Sequence, residues 1–149
     1  MKIIQCTHSY LDLLVELVED YRVFCGFARS LEASKAFLQK LISSQESVIF
    51  IAIDTETDKL MGFVNLYPSY STLALQRIWI LNDLGVSSVF RGKGVAKALI
   101  EKVQAFAKES GAIRIELKTG SENITAQGLY KSLNFIIDND NVYYRVPCE

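Results

Sequence analysis

A glycine-containing turn carries the clearest chemical signal in this sequence. The run Arg91-Gly92-Lys93-Gly94-Val95-Ala96 follows an apolar stretch and precedes a long amphipathic segment. Its glycines let the backbone come close to a ligand, and the first N–H groups of a helix that starts near Gly94 would point outward as anion donors. Arg91 and Lys93 add positive charge. The run therefore predicts a binding turn for a phosphate or pyrophosphate group.

The spacing of this turn separates it from two common nucleotide-binding motifs. It reads R-x-x-G-x-A. Dinucleotide folds carry G-x-G-x-x-G, and P-loops carry G-x-x-x-x-G-K-[ST]. The turn matches neither pattern, so the sequence gives little support to either of these two nucleotide-binding motifs.

Length and charge limit what else the chain can be. It has 149 residues, half of them hydrophobic, which is enough for one core and predicts a single domain over residues 1–149. Sixteen Lys and Arg offset seventeen Asp and Glu, so no overall field attracts nucleic acid or an acidic membrane. We expect partners to be recognised locally, with neither a nucleic acid nor a membrane among them.

The termini and the cysteines bear on location and metals. The N-terminal residues lack the layout of a signal peptide, and no apolar run approaches the roughly 20 residues of a spanning helix. Cys6, Cys25 and Cys148 are odd in number and have no C-x-x-C spacing. They predict reduced thiols in a cytoplasmic protein and no metal site.

The segments before the turn are predicted as a strand, two helices and then further strands. Ser9 is a candidate cap for the first helix, and Leu31 and Phe37 are expected to share the apolar face of the second helix with Leu38 and Leu41. The segments predicted are a strand over Met1–Thr7, a helix after Ser9, a helix from Ser30 to Ile42, and strands over Ser47–Ile53 and Leu60–Leu66.

The elements around and after the turn complete a mixed α/β fold. A strand over Leu73–Val86 loses its alternation at Asn82, Asp83 and Gly85, where a bulge or a splayed strand is expected. The following segments are a helix from Val95 to Gly111, a strand over Ile113–Leu117, a helix over Asn123–Leu133, and strands over Phe135–Ile137 and Val142–Val146. This order predicts one mixed sheet with helices on both faces and the phosphate turn near its middle.

Three segments in fixed order resemble the GNAT superfamily of acyl-CoA-dependent N-acetyltransferases. Leu81 to Val86 is similar to the central strand that splays from its neighbour. Arg91 to Ala96 fits the family loop Q/R-x-x-G-x-G/A. Asn123 to Tyr130, followed by Leu133-Asn134-Phe135, looks like N-x-x-A-x-x-L-Y…L-G-F, with Asn134 in place of the glycine. Asn tolerates a left-handed backbone, so the substitution is compatible with the motif. The resemblance implies a GNAT-like, mostly antiparallel sheet with splayed central strands.

The resemblance also implies a cosubstrate, acetyl-CoA, and residues that bind it. The N–H groups of Gly92, Lys93, Gly94, Val95, Ala96 and Lys97 would hold the pyrophosphate beside Arg91. Leu84, Gly85 and Val86 would offer main-chain groups to pantetheine, although a plain core strand explains the same side chains. Asn123 would contact the cosubstrate, and Asn is also an ordinary helix cap. Tyr130 would protonate the leaving thiolate, the alternative being a ring that merely packs.

The general base is the least determined residue. In the polyamine branch of the superfamily an acid tends to stand where this chain has Asn82, and an amide cannot accept a proton. Asp83 is the next candidate, acting directly or through water, but successive strand residues point to opposite faces, which leaves its direction open. Attack by amine that is already neutral is the other route. His8 and Cys25 are expected to have no catalytic role.

The acceptor side is described only by residue type. Six aromatic residues are candidates to line it, although core packing also accounts for most of them: Tyr21, Phe24, Phe27, Tyr67, Tyr70 and Trp79. Glu16, Glu19 and Asp20 could attract a cationic amine or form a solvated helix face.

The leading hypothesis is an N-acetyltransferase that transfers acetyl from acetyl-CoA to a small primary amine, such as a polyamine or an amino acid, by direct attack in a ternary complex. Two alternatives stay open. One is a protein or peptide N-acetyltransferase, and the other is a CoA-binding sensor without catalysis, suggested by the absent acid at Asn82. A homodimer is a further expectation, because the predicted C-terminal strands look exposed and could pair between subunits.

Overall fold

The computed structural model describes residues 1–149 as two compact units, Met1–Lys118 and Thr119–Glu149. The second unit contains one helix, α4 (Ile124–Ser132), and the first contains the sheet and the other long helices. The elements of the first unit are β1 (Lys2–Gln5), α1 (Leu11–Phe24), α2 (Leu31–Ser43), β2 (Val48–Ile53), β3 (Leu60–Ser71), β4 (Gln76–Val86), α3 (Val95–Glu109) and β5 (Arg114–Leu117), with short 3₁₀ turns at His8–Tyr10 and Ser88–Phe90.

The five strands form one sheet in the order β1-β2-β3-β4-β5. Neighbours from β1 to β4 are antiparallel, and β5 is parallel to β4. This confirms the predicted mixed, mostly antiparallel sheet. The pairing of β5 ends at Leu81 opposite Leu117, whereas β4 continues to Val86 beside β3 alone. The strands therefore separate at the expected place, just before the glycine turn.

Helices cover both faces of the sheet because successive strand residues alternate sides. On one face, Ile49, Ile51 and Phe63 form a buried cluster with Leu14 of α1. On the other face, the Phe50 ring packs edge-on against Phe106 of α3, with ring centroids 5.3 Å apart. No helix in the chain has both the length and the apolar character needed to cross a membrane.

Several local predictions for the first unit are corrected by the structure. Ser9 lies inside the 3₁₀ turn and bonds to Thr7, so Tyr10 rather than Ser9 precedes α1. Leu31 and Phe37 of α2 are exposed, because the buried stripe of this helix runs through Ser34, Leu38 and Leu41. The strand predicted over Leu73–Val86 begins only at Gln76, since residues 72–75 form the turn out of a longer β3.

The two strands predicted over Phe135–Ile137 and Val142–Val146 are absent, and no residue after Ser132 lies in a helix or strand. An alternating apolar pattern is enough to predict a strand, but a strand also needs a neighbour for its backbone groups, and a lone hairpin is marginal in water. The apolar side chains stay exposed: 92% for Ile136 and 81% for Val146. Asn134 has φ +69°, which confirms the left-handed backbone inferred where the motif carries glycine.

Candidate functional site

The glycine turn presents backbone donors to an open space. Gly92 and Gly94 both have left-handed backbones, with φ values of +73° and +78°, and no atom lies within 4 Å of where a Cβ would stand on either residue. Gly94 is the N-cap of α3 and its carbonyl accepts from the Ala98 N–H at 3.0 Å. The N–H groups of Val95, Ala96 and Lys97 thus precede the helical ladder. This cradle fits a pyrophosphate.

Two cationic side chains, Arg91 and Lys93, flank the turn, and each lies over an aromatic ring. The Arg91 guanidinium lies 5.0 Å from the centroid of the Phe24 ring, and the Lys93 ammonium lies 5.4 Å from the Phe90 ring. Stacking on a ring positions a cation while leaving its charge available to an anion. The contact with Phe24 also connects the turn to the C-terminal end of α1.

The end of β4 has one unpaired edge. Leu84, Gly85 and Val86 are in register with Val64, Phe63 and Gly62 of β3, and β5 no longer flanks them. Backbone groups on that side are available to an extended ligand. Gly85 has a steric requirement of its own, because a Cβ there would lie 2.6 Å from Cε1 of Phe63 and 3.3 Å from Cδ2 of Tyr21.

A bulge in β4 brings two adjacent polar residues to the same side. Asn65 of β3 is opposite Asp83, while the next residue, Leu66, is opposite Leu81, so Asn82 is an extra residue without a partner. An extra residue interrupts the alternation of side chains. As a result Asn82 and Asp83 both line the cavity between the sheet and the first two helices, which resolves the direction of Asp83.

Amides and a phenol surround the Asp83 carboxylate. Its Oδ2 accepts hydrogen bonds from Nδ2 of Asn65 and Nδ2 of Asn82, both at 3.0 Å. The pKa of Tyr21 is raised well above its usual value, mainly because the phenol is buried. The negative charge of Asp83 and the nearby Cys25 raise this pKa further. Tyr21 is therefore a neutral donor at any ordinary pH, and Asp83 is the group of this cluster that can accept a proton.

The cavity between α1, α2 and the sheet has a volume of about 610 Å³. We call it the α1–α2 cavity. Such a volume suits a small organic ligand. Its lining combines an apolar wall with the polar cluster of Asp83 and comprises Val18, Tyr21, Arg22, Cys25, Phe27, Ala33, Ser34, Phe37, Leu38, Ile49, Phe63, Asn65, Tyr67, Asn82 and Asp83.

A buried carboxylate fixes the helical wall of this cavity. Glu19 is 0% exposed and accepts hydrogen bonds from the Arg22 guanidinium at 2.6 Å, from the Ser30 N–H and from the Ser34 hydroxyl. Burial alone would raise the pKa of Glu19, but these hydrogen bonds outweigh it and lower the pKa to about 2. Because Ser30 and Ser34 belong to the start of α2, Glu19 ties α1 to α2 and has a structural role.

The second unit contains the last two predicted site residues. Asn123 is the N-cap of α4, and its Oδ1 accepts from the Ala126 N–H at 3.2 Å. The Tyr130 ring packs against Phe135 with centroids 5.7 Å apart, and burial raises the pKa of Tyr130. Asn123 thus performs the capping role that its type predicts, and Tyr130 keeps its proton at neutral pH.

The structure divides the aromatic set predicted for the acceptor side. Tyr21, Phe27 and Tyr67 line the cavity. Trp79 is buried against Phe106, and Tyr70 is exposed beside Arg77.

The other polar candidates also separate. Cys25 lines the cavity, whereas His8 bonds to Ser43 and lies outside the lining. Glu16 and Asp20 pair with Arg29 at 2.6 Å and 3.0 Å on the exposed face of α1.

Sequence reasoning missed Asn65, Phe37 and Phe63. Asn65 carried a readable signal, because it is one polar residue inside the apolar strand from Met61 to Leu66. Phe37 looked like a core residue of an amphipathic helix, and Phe63 like a residue of a plain core strand. Only the packing shows that both rings also border a cavity.

Comparisons with known proteins agree with this geometry. The model of the acetyltransferase (GNAT) family matches residues 12–135. An uncharacterized N-acetyltransferase of Bacillus subtilis strain 168, YhfO, is 35% identical over 97% of this chain and 95% of its own. A probable acetyltransferase of Haemophilus influenzae is 37% identical over 71% of this chain and 72% of its own. The crystal structure of a probable acetyltransferase superposes with a TM-score of 0.96 at 40% identity, covering 100% of this chain and 99% of that one.

Proposed function

The chain belongs to the GNAT family and is an N-acetyltransferase, and from this premise we propose that it acetylates a small primary amine bound in the α1–α2 cavity, using acetyl-CoA in a ternary complex. The observation that carries the proposal is the position of Asp83, a proton acceptor inside a ligand-sized cavity, one residue from the open edge of β4. Acetyl-CoA supplies an activated thioester when it is bound.

The glycine turn binds the pyrophosphate of acetyl-CoA in this proposal. The N–H groups of residues 92–97 donate to phosphate oxygens, and Arg91 and Lys93 add charge-assisted contacts. The unpaired edge at Leu84, Gly85 and Val86 holds the pantetheine arm by main-chain hydrogen bonds. The reacting carbonyl is thereby oriented along β4 toward the cavity that contains Asp83.

Asp83 acts as the base of the transfer. The acceptor ammonium first gives one proton to the Asp83 carboxylate, directly or through one water, which frees the nitrogen lone pair to bond to the acetyl carbon. The nitrogen then loses its second proton to water as the carbon–sulfur bond breaks. Tyr130 gives its phenolic proton to the departing thiolate, and Asn123 contacts the cosubstrate. The raised pKa of Tyr130 keeps that proton in place before the step.

A relative supports a small-molecule acceptor. The D-amino-acid N-acetyltransferase HPA3 of Saccharomyces cerevisiae is 33% identical over 64% of this chain and 58% of its own. Its name states a D-amino acid as the acceptor. A cavity of about 610 Å³ accommodates an acceptor of that size.

Product detection by mass spectrometry tests the proposal. The protein and acetyl-CoA are incubated with single amines, amino acids, polyamines and short peptides, beside Gly94→Glu, which puts a carboxylate into the phosphate cradle. Gly111→Glu is the matched control, because Gly111 has φ +75° and open space around its Cβ position at the other end of α3. We expect product from the native chain and from the control, and none from Gly94→Glu.

The other outcomes of this assay are informative as well. Acetylation of peptides in preference to free amines would replace the small acceptor by a protein. Bound acetyl-CoA without any product would favour the sensor. Tyr130→Phe should lower kcat at least about 100-fold, the lower end of the usual contribution of a general acid, with Tyr144→Phe as control. An unchanged kcat would remove Tyr130 from the role of acid.

We also propose that two copies pair through the C-terminal segment 135–149. The apolar side chains of Ile136, Val142 and Val146 are 77–92% exposed, and β5 is an edge strand that pairs only with β4. A segment from a second copy would satisfy that edge and cover apolar surface. Light scattering should report a dimer, and Val142→Asp with Val146→Asp should give a monomer. A monomeric native protein would end this proposal.

A further inference from the structure

We propose that the α1–α2 cavity selects a primary monoamine that carries a bulky apolar group, aromatic or branched aliphatic, and rejects polycations. The inference rests on the function proposed above, since it assigns the substrate class of the same cavity. Three properties of the lining support it: the hydrocarbon of its walls, a single carboxylate, and a buried amide oxygen that lacks a partner.

Much of the cavity wall is hydrocarbon. Two helices, the loop between them and two strands contribute large side chains that line the space: Val18, Phe27, Phe37, Leu38, Ile49 and Phe63. An apolar substituent that displaces water from these walls gains about fourfold in affinity for each methylene buried. The volume of about 610 Å³ leaves room for a phenyl ring or a branched chain beyond the amine.

The lining can neutralise one positive charge. Asp83 is its only acidic side chain. Arg22 also lines the cavity, but its guanidinium is bound by Glu19 at 2.6 Å and by the Ala28 carbonyl at 3.1 Å. A second ammonium on the acceptor would therefore lose its hydration against hydrocarbon walls without gaining an anion. This disfavours diamines and polyamines.

The buried amide of Asn65 favours a primary amine as the acceptor over a more substituted amine. Asn65 is 4% exposed, its Nδ2 donates to Asp83, and its Oδ1 is buried with no hydrogen-bond partner. Buried acceptors are almost always paired, so the ligand is expected to provide a donor. A primary amine has enough N–H groups to donate to Asp83 and to Asn65 Oδ1 together, whereas a tertiary amine does not.

A matched pair of amines tests the charge argument. Butylamine and 1,4-diaminobutane differ by one terminal ammonium, and 2-phenylethylamine adds the bulky apolar group. We expect kcat/KM for butylamine to exceed that for 1,4-diaminobutane at least about thirtyfold, given the cost of an uncompensated charge, and 2-phenylethylamine to exceed both. Calorimetric titration of the same amines into the protein without acetyl-CoA should give the same order. An equal or better response to the diamine overturns the inference.

Two variants connect the preference to named residues. Phe27→Glu places a carboxylate on the wall at a residue that is 62% exposed, so folding should be kept. It should raise the ratio of diamine to monoamine kcat/KM at least about tenfold. Leu13→Glu, on α1 outside the lining and 52% exposed, should leave the ratio unchanged. Asn65→Leu should weaken the binding of every primary amine but should not prevent the binding of acetyl-CoA.

The two proposals fail in different ways. If no amine is acetylated while the calorimeter still reports tighter binding of 2-phenylethylamine than of 1,4-diaminobutane, the ligand preference of the cavity stands and the function proposed above is wrong. If transfer proceeds with the diamine preferred, the function stands and the inference is overturned. If no amine binds at all, the inference is also overturned.

Discussion

Replacing Asp83 by Asn is the most direct test of the proposed chemistry. Asp83 is the only carboxylate of the lining, so no neighbour can replace it as proton acceptor. The fold should tolerate the change. The new amide can present its oxygen to the Asn65 and Asn82 amides that now donate to Asp83, and the loss of charge-assisted bonding should cost about 1 kcal/mol.

The expected loss of activity follows from the ionisation of the acceptor. Without a base, only acceptor amine that is already neutral can attack. For an alkylamine with the pKa of a lysine side chain, about 10.4, the neutral fraction at pH 8.4 is about 1%. Asp83→Asn should therefore lower kcat/KM about 100-fold at pH 8.4, and the deficit should shrink about tenfold per pH unit toward the pKa of the amine.

The assay is kcat/KM for 2-phenylethylamine between pH 7 and pH 10, for the native chain and for Asp83→Asn. Asp20→Asn is the matched control, because it removes the same charge from the exposed face of α1, where Asp20 pairs with Arg29. Two results would refute the reasoning: an Asp83→Asn variant that keeps at least about a third of native kcat/KM at pH 8.4, or an equal deficit in Asp20→Asn.

Three further predictions concern the surroundings of the reaction. Gly92→Ala should cost about 1–2 kcal/mol for the left-handed backbone and raise the Kd of acetyl-CoA in calorimetry, whereas Gly26→Ala, at φ +90° in equally open space, should bring only the strain. Glu19→Gln should lower the free energy of unfolding in urea at pH 7 by about 1–2 kcal/mol, less than the full pKa shift implies because the adjoining loop is solvated. The pKa of Glu19 is lowered to about 2, so the stability that its carboxylate contributes is present above the unfolded value of 4.5 and is lost as the pH falls toward 2. The difference in the free energy of unfolding between the native protein and Glu19→Gln should therefore be smaller at pH 3 than at pH 7. A difference that stays constant would contradict this. Gly85→Ala places a Cβ 2.6 Å from Cε1 of Phe63 and should destabilise the fold by about 1–3 kcal/mol. It should also raise the KM for amines, and an unchanged KM would contradict this prediction.

The parts of the molecule that local chemistry determines were predictable from the sequence. The left-handed glycine turn at the start of α3 needed only two glycines, adjacent cations and an amphipathic segment, and all of them act within a few residues. The sheet followed from apolar alternation, and the bulge from its interruption at Asn82 to Gly85. The groups that interact in these features lie close together in the sequence, so the sequence alone is enough to identify them.

The cavity and the C-terminal segment depend on long-range packing. Phe37 and Phe63 border one space although they are far apart in the chain, and no local pattern distinguishes a ring at a cavity from a ring in a core. Glu19 looked like part of a solvated acidic face, yet the start of α2 buries it. Phe135 to Val146 has the alternation of strands but no strand partner within the chain.

Because of the bulge at Asn82, the face of the sheet on which Asp83 lies depends on the number of residues in β4 and not on their types. In a strand with a period of two, adding or removing one residue reverses every side chain beyond it. No substitution at a neighbouring position can produce an intermediate direction. The presence of a carboxylate in the α1–α2 cavity is therefore an all-or-none property, changed in a single step by a one-residue deletion in β4 and left intact by gradual drift in the residues around it.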